Sequence, residues 1–393
     1  MGLRACIALA AFLLLPGAAS AAPLDQAYTF IDQMIDLHAS GDTLRLAQSY
    51  VPTATFDNGD ISYTYDDAVL ITALLARGSD DDKARARLLG DSLIYAQAHD
   101  AANDGRVRDA YHSDPFLKSN GTVNVASKSS YTGNLVWTGI AWIQLYHATR
   151  DAKYRDAALA VADFVQANLN DTRGHGGYVG GFTAAGAPLT WKSTEHNIDA
   201  YGFFTMLAQA THDPAWKTRA RHALAFVKAM WSRRGGFYFI GTGTDGVAIN
   251  HGDPTPEDVQ TWSFLSTHLA AHQGSIDWAL TNLSATEGAF DGLAFEERDR
   301  SGVWFEGTAH AAAALFARNL TGDADKAEGL ITDIEIGQAG APNADGFGLD
   351  AASKDGLKTD DNGDTYYASL HTGATGWYCI AKSRANPFSL LRR

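Results

Sequence analysis

Cysteine is almost absent: of 393 residues, only Cys6 and Cys379 carry a thiol. Cys6 falls inside the N-terminal leader described below, so the processed chain keeps one cysteine and has no disulfide partner for it. Cys6 also lies too early, and in the wrong surroundings, to be a lipid-anchored cysteine. Paired cysteines and a His-Glu-x-x-His run are missing, which speaks against a transition-metal enzyme, and no metal or cofactor is expected. Gly-x-Ser-x-Gly is missing too, and scattered glycines such as Gly174, Gly176 and Gly177 do not open a strand-to-helix nucleotide site. Basic residues are outnumbered, 31 Lys and Arg against 45 Asp and Glu, and they do not cluster. The resulting net charge of −14 argues against a nucleic-acid partner and makes a neutral substrate more natural than a strongly anionic one. Beyond the leader no apolar run reads as a membrane span. No Pro/Ser-rich linker or shift in composition divides the chain.

The leader has three parts. Met1 to Arg4 make a short basic start, Ala5 to Leu15 an apolar core too short to cross a bilayer, and Ala19-Ser20-Ala21 a small-residue cleavage pattern. Residues 1–21 are therefore read as a secretory signal peptide, residues 22–393 as one domain, and the destination as the periplasm or extracellular space. Removal of the leader takes only Arg4 from the charge balance.

Six times, at spacings of roughly 50 to 70 residues, a short polar or acidic cluster leads into a long apolar run with helical pattern. The openings are Thr64-Tyr65-Asp66-Asp67, Thr132-Gly133-Asn134, Ser193-Thr194-Glu195-His196-Asn197, Pro256-Glu257-Asp258-Val259-Gln260, Trp304-Phe305-Glu306-Gly307 and Leu370-His371-Thr372. The runs that follow, such as Leu135 to Ala148, leave little polar surface and predict buried helices. Between them Asp81 to His99, Lys153 to Leu169, Pro214 to Met230 and Asp323 to Ile334 mix charge with apolar residues at helical spacing, as outer helices do. Four inner-to-outer turns share a form, Gly78-Ser79-Asp80, Thr149-Arg150-Asp151, Thr211-His212-Asp213 and Thr321-Gly322-Asp323, which sets an Asp at the next helix start. Six such hairpins close into an all-α toroid of twelve helices, with the inner amino ends gathered at one mouth. Long glycine-rich connections, Asn103 to Tyr131, Asp171 to Lys192, Gly235 to Pro254 and Gly337 to Tyr367, are where a binding site would be built. Within the third, Gly235 to Ile240 followed by Gly243-Thr244-Asp245-Gly246 predicts a short β-hairpin turning at the Asp-Gly pair.

This arrangement of six helical hairpins, with acids and aromatics at the inner-helix starts, resembles the (α/α)6-toroid glycoside hydrolases of bacteria. The likeness spans residues 22–393 in architecture; the clusters assign no single hydrolase family. It implies cleavage of a glycosidic bond in a poly- or oligosaccharide by two carboxyl groups across the mouth. One carboxyl protonates the leaving oxygen, and the other activates water or attacks the sugar. The same fold also carries polysaccharide lyases, epimerases and non-catalytic relatives.

Candidate acids follow from that chemistry. Glu195 is the expected general acid, set in the densest polar cluster of the chain; its plainer alternative is a first-turn acid serving the helix dipole, with Thr194 as cap. Asp66 or Asp67 is the expected base, since adjacent like charges push one pKa up; Thr64 and Asp67 also fit a capping-box spacing. Glu306, framed by Trp304-Phe305 and Gly307, is the reserve for either role. Asp258 is set aside because Thr255-Pro256-Glu257-Asp258 carries a complete helix-start signal. Asp361 and Asp364, on the loop 360–364, are read as a solvated turn, with a base or calcium site as the alternative. Tyr65, Asn134, Trp137, Trp191, His196, Asn197, Asp199, Trp262, Trp304 and His371 are expected to hold the sugar, because aromatics match its apolar faces and polar groups its hydroxyl rim. Two rival outcomes stay open. One is a lyase using Tyr201 or His196 as base, with Asn197 or Lys192 neutralising a uronic acid. The other is a glycan-binding protein without catalysis.

Overall fold

The computed structural model describes residues 21–41, 43–359 and 364–391. The expected leader, Ala21 apart, lies outside the described residues, as does Asp361 of the candidate cation loop.

Twelve α-helices are described. The inner set is α2 (Thr64–Arg77), α4 (Thr132–Thr149), α6 (Thr194–Thr211), α8 (Asp258–Thr267), α10 (Phe305–Arg318) and α12 (Thr372–Lys382). The outer set is α1 (Pro23–Asp36), α3 (Asp80–Ala98), α5 (Ala152–Asn168), α7 (Pro214–Ala229), α9 (Gly274–Asn282) and α11 (Asp323–Gly340). Each inner helix packs on the next, and α12 closes back on α2. Five outer helices lie against the inner helix that precedes them, while α1 covers α12 and so joins the two ends of the chain. The architecture is an all-α (α/α)6 toroid.

Burial explains the division. Helix α4 buries Leu135, Trp137, Ile140, Trp142 and Leu145 on several faces, whereas α5 buries Tyr154, Ala158, Val161 and Val165 along one stripe and leaves Lys153 and Asp156 exposed. Inner helices also approach closely: α4 meets α6 over Gly139, where any side chain would run into the Phe203 ring. No helix of the described residues is long and apolar enough to cross a membrane, and Cys379 is buried and free.

The inner-helix starts are stitched to the connections by a repeated set of bonds. An amide at each start, the first of the helix or in α8 the one before it, donates to a carbonyl beyond the outer helix that follows: Thr64 to Asp109, Thr132 to Gly180, Thr194 to Ile240, Glu257 to Phe295 and Phe305 to Ala351, with Thr372 closing the ring on Ser49 after α1. The hydroxyls of Thr64, Thr132 and Thr194 donate one residue earlier, to the carbonyls of Arg108, Val179 and Phe239 at 2.5–2.6 Å. Three residues further on, a polar side chain ties the neighbouring connection. Asn197 brackets the backbone of Tyr178, Gln260 that of Tyr238, and Asp67, Thr308 and Thr375 accept the amides of Ala47, Leu293 and Leu349.

Several local expectations are corrected here. Thr64 and Asp67 form no capping box, and Thr194 does not cap α6: both threonines lie one residue inside their helices, and Ser193 caps α6 by accepting the His196 amide. Asp151 and Asp213 cap α5 and α7 as expected, but α3 is capped by Ser79 in a capping box with Asp82. Asp323 is instead drawn to the Arg318 guanidinium. Phe237–Tyr238 pair backwards with Trp231–Ser232, because the turn that joins them lies at Arg233 to Gly236. The Asp245-Gly246 turn belongs to a separate loop closed by Thr242 and Ile249.

After α12 the chain passes under the toroid. Gln144 holds the carbonyls of Pro387 and Ser389, Asn386 donates to the Leu265 carbonyl, and the Phe388 ring rises to 5.3 Å from Trp137 and 5.8 Å from Trp262.

Candidate active site

The inner amino ends surround a cavity of about 250 Å³. The helical register selects what faces it. One residue past the stitched amide stand Tyr65, Glu195, Asp258 and Glu306, which line the wall. Five residues past it stand Trp137, Trp262 and His310, which line the floor, and at the same level Asp199 and Trp377 complete the layer. The floor is aromatic and continuous: Trp137 meets Trp262 at 5.2 Å, Trp262 stacks on Trp377 at 5.5 Å, and His310 abuts Trp377 at 4.2 Å.

One side of the cavity holds negative charge. The Tyr65 hydroxyl, itself receiving the Trp377 indole N–H at 2.7 Å, donates to Glu306 Oε1 at 2.6 Å. His310 lies between two carboxylates, with Nδ1 3.1 Å from Glu257 and Nε2 3.6 Å from Glu306. Burial disfavours a charged His310, but these carboxylates outweigh it and raise its pKa to about 9. Burial likewise pushes Glu306 up, yet the His310 imidazolium and the Tyr65 hydroxyl outweigh it and hold Glu306 below the usual carboxylate range. His371, stacked on Tyr50 at 4.1 Å, points Nε2 at Asp66 (3.3 Å) while its Nδ1 accepts the Ala374 amide at the start of α12.

The other side holds protons. Burial, together with the Asp258 carboxyl beside it, keeps Glu195 well above the ordinary range. Burial and the neighbouring Glu195 do the same to Asp199, one turn below on α6, and burial with Glu257 raises Asp258 to about 7. Three carboxyls this close cannot all ionise, so protons stay among them near neutral pH. Two further donors, the buried indole N–H groups of Trp262 in the floor and Trp304 beside it, have no acceptor among the described residues. An unmet buried donor costs roughly 1–3 kcal/mol, and a hydroxyl-rich ligand would meet both.

Of the residues expected at the site, Tyr65, Asp66, Asn134, Trp137, Glu195, Trp262, Trp304, Glu306 and His371 line the cavity. Trp191 and His196 line an adjoining groove. Asp67 and Asn197 are instead stitches, Asp67 accepting the Ser62 hydroxyl at 2.7 Å and the Ala47 amide at 3.1 Å. Asp258 belongs to the cavity although its sequence context looked like a cap: α8 starts at Asp258 itself, and Glu257 caps nothing. The signal for Asp258 was its offset in the repeat, matching Glu195 and Glu306. Tyr50, Phe295 and Tyr366 also line the cavity, carried in by loops that no periodicity marks. Among the described residues, no group of three or more His, Cys, Asp or Glu is placed to hold a metal ion.

No protein-family model matches the chain, and no curated protein matches it. Solved structures do. A D-mannose isomerase superposes with a TM-score of 0.67 at 12% identity, covering 92% of this chain and 95% of its own. A family 76 glycoside hydrolase, a mannosidase from Bacteroides thetaiotaomicron VPI-5482, gives 0.65 at 11% identity over 92% and 97%. The cellobiose 2-epimerase of Spirochaeta thermophila DSM 6192 gives 0.64 at 14% identity over 94% and 98%. The class is thus the six-hairpin (α/α)6 toroid, a fold whose neighbours here are carbohydrate-active enzymes. Within that class these neighbours include hydrolases, isomerases and epimerases, and at such identities the likeness is one of fold.

Proposed function

We propose that this chain is an exported glycoside hydrolase that cleaves an O-glycosidic bond in a neutral oligo- or polysaccharide. What supports it is that both carboxyls line one cavity in opposite surroundings, the Tyr65 hydroxyl and His310 holding Glu306 low while burial and Asp258 hold Glu195 high. Environments that push two carboxyls apart in this way supply an acid and a base at one pH. Glu195 would give its proton to the glycosidic oxygen as the bond to the anomeric carbon breaks. Glu306 would serve that carbon, as base for water or as nucleophile, while Asp258 and Asp199 keep the Glu195 proton in place. The mannosidase among the structural neighbours, and an α-amylase from Clostridium perfringens at a TM-score of 0.64, make hydrolysis of neutral sugars a natural fit. The basic, apolar and small-residue order of residues 1–21 supports export.

A second reading, sugar isomerisation or epimerisation, is favoured by the two imidazoles beside Glu306 and by the isomerase and epimerase neighbours. It needs a free basic nitrogen. Of the imidazoles at the cavity, His310 bonds Glu257 through Nδ1 and has Nε2 3.6 Å from Glu306, and His371 faces Asp66 with one nitrogen and the Ala374 amide with the other; His196, whose Nδ1 has no partner among the described residues, lines the adjoining groove instead. A lyase is less favoured still, since Tyr201 does not line the cavity and the Lys192 ammonium is spent on the Arg173 carbonyl and Asp171.

The test is to incubate the protein with neutral and uronic oligosaccharides while following reducing ends, ultraviolet absorbance and the proton NMR of the sugar. New reducing ends are expected, with Glu195→Gln and Glu306→Gln each slower by about 10²–10⁴-fold. A change of sugar configuration without new reducing ends, an unsaturated product, or binding without turnover would each overturn the hydrolase.

A further inference from the structure

The cavity opens, past Glu195, Asp258 and Phe295, into a second groove of about 610 Å³. Those two acids line both spaces, so they stand at the boundary between them. We propose that the groove is the subsite for the leaving half of the substrate, which is therefore a neutral oligosaccharide of at least two sugars. The inference rests on the hydrolase reading and adds to it where the leaving half lies and which side chains hold it.

Trp191 is the main support. Its indole is half-buried and seated on bare backbone: a Cβ on Gly180 would lie 2.7 Å from three of the indole carbons. The Gly180 amide also donates to the Trp191 carbonyl at 2.8 Å, which fixes the backbone beneath the ring. The result is an aromatic platform held in place before any ligand arrives, the kind of surface that takes the apolar face of a sugar ring. Beside it, 5.6 Å away, His196 is 9% exposed and its Nδ1 has no partner among the described residues. Burial lowers the His196 pKa to about 4, so it meets a ligand as a neutral imidazole able to accept or donate a hydrogen bond. Asn250 and Asp253 also line the groove; the Asn250 side chain is spent on Asp253 and on the Gly252 and Asp253 amides, which leaves one Asp253 carboxylate oxygen to accept from a hydroxyl.

The charge of the groove sets the class of sugar. Among the described residues its one basic side chain, Lys192, is turned inward, with Nζ on the Arg173 carbonyl at 2.8 Å and on Asp171 at 3.4 Å. A uronic carboxylate would meet, among the described residues, the Asp253 carboxylate and no available cation, and would be disfavoured.

The experiment uses the Glu195→Gln protein, so that binding is read without turnover. It is titrated calorimetrically with neutral hexose oligosaccharides of one to four units and with the matching uronic oligomers. Affinity is expected to rise at least about 10-fold from one neutral unit to two or more, and to stay at the one-unit level or below for uronic oligomers. Adding Trp191→Ala should abolish the gain with length, while Trp191→Phe, which keeps a flat ring, should retain most of it; unchanged melting temperatures exclude misfolding as the cause. Length dependence untouched by Trp191→Ala, no gain with length, no binding, or preference for the uronic series would each overturn the subsite. The two proposals fail separately: length-dependent binding by a protein that releases no reducing ends ends the hydrolase reading, whereas cleavage with a KM indifferent to Trp191 ends the subsite.

Discussion

Asp67 and Glu306 are both buried carboxyls near inner-helix starts, yet their surroundings drive their protons in opposite directions. Burial raises Asp67 to about 8, because its partners are only a hydroxyl and one amide. An unfolded Asp titrates near 3.9, so between about pH 4 and 8 the folded chain keeps a proton that the unfolded chain has lost. Stability from this group is therefore full below about pH 4 and declines as pH rises through 8. Asp67→Asn keeps both hydrogen bonds and removes the titration. Its melting temperature should exceed that of the parent by a margin that widens from pH 5 to 8, reaching at least about 2 °C, with glycosidase activity unchanged; lost activity would return Asp67 to the catalytic set. Glu306 is held low, so the acid limb of the pH–rate profile should follow its ionisation and the alkaline limb the shared protons of Glu195, Asp199 and Asp258. Glu257→Gln takes one carboxylate from His310, weakens its charge, and should move the acid limb up by about one pH unit; it also removes the charge that raises Asp258, so the alkaline limb should move down. The sequence showed these acids but not their protonation, since Thr64-x-x-Asp67 reads as a cap until Ser62 and Ala47 are seen around it.

At the scale of the element, the repeat works through both ends of each inner helix. Amino ends carry the stitch, the wall residue and the floor residue at fixed offsets. Carboxyl ends of five inner helices stop on a left-handed residue: Gly78, Arg150, His212, His268 and Asn319, each sending its amide back to close the last turn. Only Gly78 adopts that conformation without steric cost. Arg150 and His212 are exposed and have φ of 64° and 60°, so Arg150→Gly and His212→Gly should each stabilise the fold by about 1 kcal/mol in urea unfolding, while Gly78→Ala should cost a similar amount. Destabilisation by either glycine substitution would show that side-chain contacts outweigh the backbone strain. Helix existence and the inner-outer alternation were legible because they depend on neighbours three and four residues apart. The stitches were not, because an Asn or Thr in a first turn looks the same whether it serves its own helix or a loop twenty residues away.

For the whole molecule, the end of the chain takes part in the site it lies beneath. Phe388 is 4% exposed and packs under Trp137 and Trp262, so the tail wedges the cavity floor from the far side of the toroid. Phe388→Ala should cost about 3–5 kcal/mol and shift the tryptophan emission, with glycan affinity falling as the floor loosens; an unchanged melt and spectrum would mean the ring bears no load. By itself the sequence determined the six-hairpin count, the six inner helices, four of the six outer ones and most of the acids at one mouth, since hydrophobic periodicity and helix-start chemistry act over a few residues; α1, α9 and the place of Asp258 emerged only in the fold. Which acid holds a proton, which polar residue is a stitch, and where a second groove adjoins the first were decided only by tertiary structure. A pKa answers to groups within about 4–6 Å, and here those groups come from far along the chain, as when Tyr65 reaches Glu306 across 241 positions.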